Sequence, residues 1–171
     1  MHFWASKNKK QSKNSIQVGK MKKIMFVCHG NICRSPMAEF VFKKMLSDRG
    51  IDDVFVASSA TSYEEVGNGV HIGTKKILDR LGIDCSAKRA VRFTLDDYDN
   101  YDMIIVMDDR NIYNLARIVG EDTQHKIVKL LDLVGIDRDV ADPWYTGNFE
   151  KTYQDINLGC LALLDKIKRK A

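Results

Sequence analysis

The segment VCHGNICRSP, residues 27–36, joins an apolar run to an amphipathic one. Residues 22–28 read KKIMFVC, and this short apolar run predicts a buried strand. Residues 35–50 carry apolar side chains at helical spacing up to Gly50, a residue type that commonly ends a helix. A strand that leads through a tight turn into a helix is typical of parallel α/β sheets.

The rest of the chain repeats this alternation of apolar runs and amphipathic segments. The pattern predicts strands over residues 53–60, 101–108 and 125–133, and helices over residues 69–83, 110–120 and 148–170. It therefore predicts a single α/β domain in which a parallel sheet has helices on both faces. Ligands of such sheets bind beyond the carboxyl ends of the strands, so we expect the loop after the first strand to bind one.

The charge of the chain is unevenly distributed. Its formal charge of +4 comes from five lysines within residues 1–20, whereas residues 21–171 carry 22 basic and 23 acidic side chains. We therefore expect residues 1–20 to be a basic, flexible extension and residues 21–171 to be the folded domain. The balanced charge of that domain argues against nucleic-acid binding. No apolar run approaches the ~18 residues of a membrane-spanning helix.

The four cysteines are not arranged like a structural zinc site. Cys28 and Cys33 lie close together, but no second close pair exists, because Cys85 and Cys160 stand alone. We expect these last two to be small buried side chains. Free cysteines in a chain of this size fit a reducing compartment, and we expect a cytoplasmic protein.

The loop between the first strand and the first helix is suited to hold an anion. Consecutive backbone N–H groups that curve around one point form an anion nest, and the helix dipole adds partial positive charge. Gly30 is expected to let the backbone curl, and Asn31 tolerates a left-handed conformation. The loop lacks the Gly-Lys-Ser/Thr sequence of nucleotide-binding loops, so we expect it to bind phosphate rather than ATP.

The same loop carries reactive groups. A thiol beside a helix N-terminus and an arginine is favoured as thiolate, which makes Cys28 a candidate nucleophile toward phosphorus. Arg34 has a planar fork of donors that can grip two phosphoryl oxygens. Ser35 can donate a hydrogen bond to the sulfur of Cys28. These three residue types together predict a covalent phosphocysteine intermediate.

A phosphate monoester also needs a proton for its leaving oxygen, and an acid on another loop must supply it. The candidate is Asp142 in the segment VADPWYTG, where Pro143 biases the aspartate toward an extended conformation. Trp144 and Tyr145 follow directly, and their rings can form the wall of a slot that accepts an aromatic substrate. We therefore expect Asp142 to be the general acid.

The chain from about residue 21 onward resembles the low molecular weight protein tyrosine phosphatases. Residues 27–36 satisfy every fixed position of the family signature V-C-x-G-N-x-C-R-S-P, and SSATS, YDMIIVMD and DPWYTGNFEKTYQDI also match. The resemblance implies a four-stranded parallel sheet, the three roles given above for Cys28, Arg34 and Asp142, and no metal or organic cofactor. It implies tyrosine-phosphorylated proteins as substrates and inorganic phosphate as product, and we expect a monomer. The residues expected to contact substrate are His29, Gly30, Asn31, Ile32, Cys33, Ser35, Trp144 and Tyr145.

The resemblance also implies a hydrogen-bond network under the loop, formed by Asn31, Ser35 and either Ser59 or its neighbour Ser58. Many relatives brace this network with a histidine in an H-x-A-R segment, but the matching stretch here is AKRAVRF and places Lys88 there. Lysine has no neutral acceptor to offer. We therefore expect the bracing to be looser or to be rebuilt from other residues.

Two alternative activities remain open at this point. Relatives that hydrolyse phosphoarginine carry a threonine where this chain has Ile32, so we expect phosphotyrosine to be preferred over phosphoarginine, with phosphoserine and phosphothreonine almost inert. An arsenate reductase on this fold would pass a disulfide among three cysteines, two of them closely spaced late in the chain. Cys85 and Cys160 are too far apart in sequence to match that pair.

Overall fold

The structure is a computed structural model, and it describes residues 22–170. Its centre is a parallel sheet of four strands in the order β2-β1-β3-β4. The strands are β1 (Lys22–Cys28), β2 (Val54–Ala60), β3 (Met103–Val106) and β4 (Ile127–Lys129). The predicted four-stranded parallel sheet is confirmed. The extension predicted for residues 1–20 lies outside the described residues.

Helices connect the strands and cover the sheet. They are α1 (Arg34–Asp48), α2 (Ile72–Arg80), α3 (Leu95–Asn100), α4 (Asp109–Val119), α5 (Pro143–Thr146) and α6 (Phe149–Lys170), with a 3-10 helix at Leu130–Val134. None of the helices within residues 22–170 is long and apolar enough to cross a membrane.

The side chains of β1 alternate between two cores, as a strand buried on both faces requires. Ile24 and Phe26 pack with apolar residues of α1, α2 and α6. Met25 and Val27 point to the opposite face and pack with residues of α3 and α4. The prediction of helices on both faces of the sheet is therefore confirmed.

The fourth strand is shorter than predicted. Only residues 127–129 pair with β3, whereas the predicted strand over 125–133 continued through residues that form the 3-10 helix. Leu130 and Leu131 are adjacent but pack into the same core, whereas a strand would direct them to opposite faces. The two short helices α3 and α5 were not predicted, because six and four residues give too little periodicity to recognise.

The strand order determines where the site lies. β1 pairs with β2 on one side and β3 on the other, so the chain leaves the carboxyl end of β1 in a crevice between its two neighbours. Residues 29–33 form the loop from β1 to α1 at this crevice, and we call them the β1–α1 loop. The loop before α5 lies at the same end of the sheet, since Val140 N–H donates to the carbonyl of Met107 just after β3.

Candidate active site

The carbonyl groups of the β1–α1 loop turn outward and are held there. The carbonyl oxygens of Cys28 and His29 accept hydrogen bonds from the N–H groups of Thr61 and Ser62, and that of Ile32 accepts from His71 N–H. In contrast, none of the backbone N–H groups of residues 29–34 donates to an acceptor within the described part of the chain. Outward carbonyls leave unpaired N–H groups on the inside of the curve, which is the geometry of an anion nest.

The left-handed residue of this turn is Asn31, with φ of 59°. That part of the prediction is confirmed, and Gly30 itself is not at positive φ. A Cβ atom at Gly30 would lie 3.3 Å from Cγ of Glu65. The glycine therefore leaves room for the Glu65 side chain beside the loop.

The thiol of Cys28 lies at the base of the loop, only 3% exposed. Its sulfur is 3.0 Å from Ser35 Oγ and 3.4 Å from the Ser35 N–H. Two groups from the first turn of α1 that are able to donate therefore lie beside this sulfur, as a thiolate or a departing sulfur would require.

Arg34 is buried at the start of α1, and one part of its guanidinium is held by the protein while another part has no partner. Nη1 donates to Asp108 Oδ2 at 2.7 Å and to the carbonyl of Val140 at 2.8 Å. Nε is buried and has no partner among the described residues. Burial alone would lower the pKa of Arg34, but the negative groups Cys28 and Asp108 outweigh it and raise that pKa. One edge of a permanently charged guanidinium thus remains free to bind an anion.

Asp142 is the N-cap of α5. Its Oδ1 accepts from the Trp144 N–H at 3.0 Å, and its Oδ2 is 3.4 Å from Arg34 Nη2. The loop that carries it is tied down by an ion pair in which both Nη atoms of Arg138 reach the carboxylate of Asp155 on α6, at 2.8 and 2.9 Å. The carboxyl group is therefore aimed at the crevice by a fixed backbone.

These groups line one cavity, together with two aromatic side chains at its mouth. Trp144 and Tyr145 are 59% and 80% exposed, so their rings are available to a ligand. Behind Trp144 lies His71, which meets that ring edge-on and stacks on Phe149 with 5.0 Å between ring centroids. The lining residues are Cys28, His29, Gly30, Ile32, Cys33, Arg34, Glu64, Glu65, Asp142, Trp144 and Tyr145.

Three acidic residues near the loop were missed by sequence reasoning. Asp108 fixes Arg34, while Glu64 and Glu65 line the mouth of the cavity, where Glu64 Oε2 is 3.0 Å from His29 Nε2. The segment YDMIIVMD gave a signal for Asp108, since it ends a predicted strand at the ligand-binding edge of the sheet. No local pattern distinguishes Glu64 or Glu65 from other surface acids.

The hydrogen-bond network under the loop uses Ser58. Asn31 Nδ2 donates to Ser35 Oγ at 2.8 Å and to Ser58 Oγ at 2.9 Å. Of the two serines that were considered, Ser59 is not the one that meets Asn31, and its hydroxyl has no partner within residues 22–170. Ser58 in turn donates to Glu39, and Lys88 lies beside that carboxylate. The bracing is thus rebuilt, with Glu39 and Lys88 in place of a histidine.

The other cysteines differ sharply from Cys28. Cys33 lines the same cavity, but burial raises its pKa to about 12, and the nearby negative charge of Cys28 adds to this effect. Cys85 and Cys160 are buried away from the cavity, and burial raises the pKa of each. They are the buried small side chains that we expected.

Sequence and structure comparisons agree with this arrangement. A sequence model described as low molecular weight phosphotyrosine protein phosphatase matches residues 23–171. The chain belongs to this family. It is 41% identical over 153 residues to the low molecular weight protein-tyrosine-phosphatase YfkJ of Bacillus subtilis, covering 88% of this chain and 98% of that protein. As a member of the family, the chain is an enzyme of the phosphatase class, as the sequence predicted.

Other family members extend the comparison. PtpA of Staphylococcus epidermidis, also named a low molecular weight protein-tyrosine-phosphatase, is 39% identical over 149 residues, or 86% of this chain and 95% of that protein. The crystal structure of YfkJ superimposes with a TM-score of 0.85 over 89% of this chain and 98% of that chain. The structure of Wzb from Vibrio vulnificus in complex with benzylphosphonate is 26% identical, with a TM-score of 0.75 over 85% of this chain and 99% of that one.

Proposed function

We propose that this phosphatase hydrolyses phosphotyrosine in proteins through a phosphocysteine intermediate, with Cys28 as nucleophile, Arg34 as phosphate clamp and Asp142 as general acid and base. One observation carries the proposal. Cys28, Arg34 and Asp142 line one cavity, and the N–H groups of residues 29–34 and the Nε of Arg34 have no partner among the described residues.

In the first step, the thiolate of Cys28 attacks phosphorus while the bond from phosphorus to the tyrosine oxygen breaks. The loop N–H groups and Arg34 bind the three non-bridging oxygens, whose charge they stabilise in the transition state. Asp142 gives its proton to the leaving tyrosine oxygen, so that a neutral phenol departs.

In the second step, the carboxylate of Asp142 takes a proton from a water molecule as that water attacks phosphorus. The phosphorus–sulfur bond breaks, Cys28 leaves as thiolate, and inorganic phosphate is released. Ser35 donates toward the sulfur at 3.0 Å and so stabilises the thiolate as a leaving group. The free enzyme is thereby restored, and no step uses a metal or an organic cofactor.

The walls of the cavity favour an aryl phosphate. Trp144 and Tyr145 present exposed rings at the mouth, and an aromatic pair contributes about 0.5–1.5 kcal/mol beyond its buried area. Ile32 lines the interior with an apolar side chain, which offers no hydrogen bond to a guanidinium. The benzylphosphonate bound by Wzb is a ligand of the same shape, an aromatic ring attached to a phosphonate.

Two further parts of the proposal concern partners and location. We propose that the partners are tyrosine-phosphorylated proteins, which a monomer can bind through the open mouth of the cavity. The four cysteines are all free thiols, and this supports a reducing, cytoplasmic environment. The positions of Cys85 and Cys160, both outside the cavity, argue against a three-cysteine arsenate reductase.

The test is phosphate release from matched peptides that carry phosphotyrosine, phosphoarginine, phosphoserine or phosphothreonine. We expect phosphotyrosine to react fastest, phosphoarginine next and the others almost not at all. Cys28→Ser should abolish turnover and retain phosphopeptide binding, because the loop and Arg34 remain. Preferred release from phosphoarginine would show that the argument from Ile32 is wrong, whereas turnover by Cys28→Ser would contradict the proposed nucleophile.

Asp142→Asn tests the acid, since the asparagine can still accept the hydrogen bond from Trp144 N–H. We expect the rate to fall by about 10²–10⁴ for leaving groups that need a proton. An activated aryl phosphate, whose leaving group departs without a proton, should be affected much less. Equal losses on both substrates would remove Asp142 from the role of general acid.

A further inference from the structure

A continuous chain of hydrogen bonds runs from Glu39 on α1 to the sulfur of Cys28. Ser58 Oγ donates to Glu39 Oε1 at 2.6 Å, and Asn31 Nδ2 donates to Ser58 Oγ at 2.9 Å. The same Nδ2 donates to Ser35 Oγ at 2.8 Å, and Ser35 Oγ lies 3.0 Å from Cys28 Sγ. The five side chains are all buried.

The direction of the hydrogen bonds in this chain follows from the Glu39 carboxylate at its start and from the fixed orientation of the Asn31 amide. A carboxylate can only accept, so the hydroxyl hydrogen of Ser58 is committed to Glu39. Asn31 is held in one orientation, because its Oδ1 accepts from the Val91 N–H at 3.1 Å. Its amide group therefore donates to both serines.

The direction of these hydrogen bonds also determines where the hydroxyl hydrogen of Ser35 points, next to the sulfur of Cys28. Ser35 Oγ already accepts from Asn31, so its own hydrogen is free to point to Cys28 Sγ, the nearer of its two acceptors, or to the carbonyl of Ser59 at 3.4 Å. If Glu39 were protonated, it could donate to Ser58, and the order of the chain would no longer be fixed. A carboxylate at Glu39, which can only accept, thus fixes which way the hydroxyls point.

Lys88 is a largely buried cation beside the start of this hydrogen-bond chain. Its Nζ donates to the carbonyl of Ser58 at 2.9 Å and lies 3.6 Å from Glu39 Oε1, the same oxygen that accepts from Ser58. The Lys88 side chain is only 13% exposed. Lys43 binds the other oxygen of Glu39 at 2.5 Å, but its side chain is 46% exposed and faces solvent.

The charges around Lys88 come from two elements. Glu39 and Lys43 face it from α1, and Cys28 faces it from the end of β1. Burial lowers the pKa of Lys88, while the carboxylate of Glu39 opposes this effect and favours the charged form. An ammonium group in this position acts both on Glu39 directly and, through space, on the sulfur of Cys28.

We propose that Lys88 is a positioning residue for catalysis, whose charge lies beside the Glu39 carboxylate and so helps to orient the hydrogen-bond chain that ends at Cys28. The inference rests on the proposed function only in that Cys28 is taken as the nucleophile. It places a charged residue in this protein at the position where many relatives have a histidine.

The experiment measures the reactivity of Cys28 without any substrate. The rate of alkylation by iodoacetamide is followed between pH 4.5 and pH 8, and the modified cysteine is identified by mass spectrometry. The buried Cys33, with a pKa of about 12, does not compete in this range. In Lys88→Gln, which keeps a donor for the Ser58 carbonyl and loses the charge, we expect alkylation of Cys28 at pH 5 to slow by about five- to tenfold, with the midpoint of the profile moved upward.

Matched variants separate charge from packing. Lys88→Arg keeps the charge and should stay within about twofold of wild type, as should Lys43→Met, which removes the solvent-exposed lysine from the same carboxylate. Melting temperatures identify the variants that fold, and Lys88→Met is a second neutral variant. If both neutral variants keep the wild-type profile, or Lys43→Met shifts it equally, the inference is wrong. If neither neutral variant folds while Lys88→Arg does, Lys88 serves stability alone and the inference is also overturned.

The alkylation profile remains informative if the proposed substrate is wrong. If the protein fails to hydrolyse phosphotyrosine but its alkylation profile shows the expected shift, the role of Lys88 stands and only the proposed substrate is wrong. If the protein hydrolyses phosphotyrosine but the alkylation profile is unchanged in Lys88→Gln, the proposed function stands and the inference about Lys88 is wrong.

Discussion

Cys33 is expected to protect Cys28 from irreversible oxidation, and the structure sets how fast it can do so. Peroxide converts the thiolate of Cys28 to a sulfenic acid, Cys28–SOH. Attack by the sulfur of Cys33 forms a disulfide and releases the sulfenic oxygen as water. The attacking species is the thiolate. Burial holds the pKa of Cys33 well above its ordinary value, so only a very small fraction of Cys33 is thiolate at pH 7.

This small fraction makes the protective step strongly dependent on pH. Below the pKa of Cys33, the thiolate fraction rises about tenfold for each pH unit. We therefore expect the disulfide to form about a hundredfold faster at pH 9 than at pH 7. Burial is the larger cause of the raised pKa, and it persists after Cys28 is oxidised, so the dependence on pH persists as well.

The assay uses two doses of peroxide separated by an interval at pH 7, 8 or 9. Molecules that form the disulfide in the interval survive the second dose and regain activity with dithiothreitol, whereas those left as sulfenic acid are oxidised further. Wild type should recover most after an interval at pH 9, and Cys33→Ser should recover little at any pH. Equal recovery in both proteins, or recovery in wild type that does not change between pH 7 and pH 9, would refute the reasoning and leave Cys33 a packing role.

Two other predictions concern the substrate and the acid-bearing loop. Ile32→Thr should raise the rate on phosphoarginine relative to phosphotyrosine, and an unchanged ratio of the two rates would dismiss Ile32 as a determinant. Arg138 holds the pKa of Asp155 below its ordinary value through two hydrogen bonds. A lowered pKa stabilises the folded protein at pH values above the unfolded-state pKa of about 4. This stability is lost as the pH falls through the folded-state pKa. In thermal melts from pH 7 to pH 3, Asp155→Asn should therefore lose less stability on acidification than wild type does. An equal acid loss in both proteins would contradict this role.

The sequence is most informative where the functional groups are consecutive. Residues 27–36 contain the proposed nucleophile, anion nest and clamp within one turn, so their spacing alone predicts how they meet. Asp142 comes from a distant loop, and only the requirement for a proton donor and the resemblance to a family pointed to it. Glu39 and Lys88 could not be predicted as partners, because they meet only when α1 packs on β2 and the segment that carries Lys88 reaches the Ser58 carbonyl.

Secondary structure shows the same contrast between local and distant signals. The strand and helix around the β1–α1 loop were predicted within two residues, because hydrophobic periodicity is strong there. The helix α3 carries a local signal that was overlooked, since Thr94 and Asp97 form a capping box at its start. The early end of β4 has no such signal, because LLDL is equally compatible with a strand and with a 3-10 turn.

The arrangement of Arg34 explains how the free enzyme can be ready for phosphate and still keep its acid in place. Nη1 is fully used by Asp108 and the Val140 carbonyl, and these bonds orient the guanidinium without involving a ligand. Nε has no partner among the described residues, and Nη2 makes only the 3.4 Å contact with Asp142. A phosphate group needs two parallel donors, and the pair left available is Nε with Nη2. In the proposed mechanism, binding of phosphate therefore replaces the longest contact of Arg34, and it frees the carboxyl group of Asp142 when the leaving oxygen requires a proton.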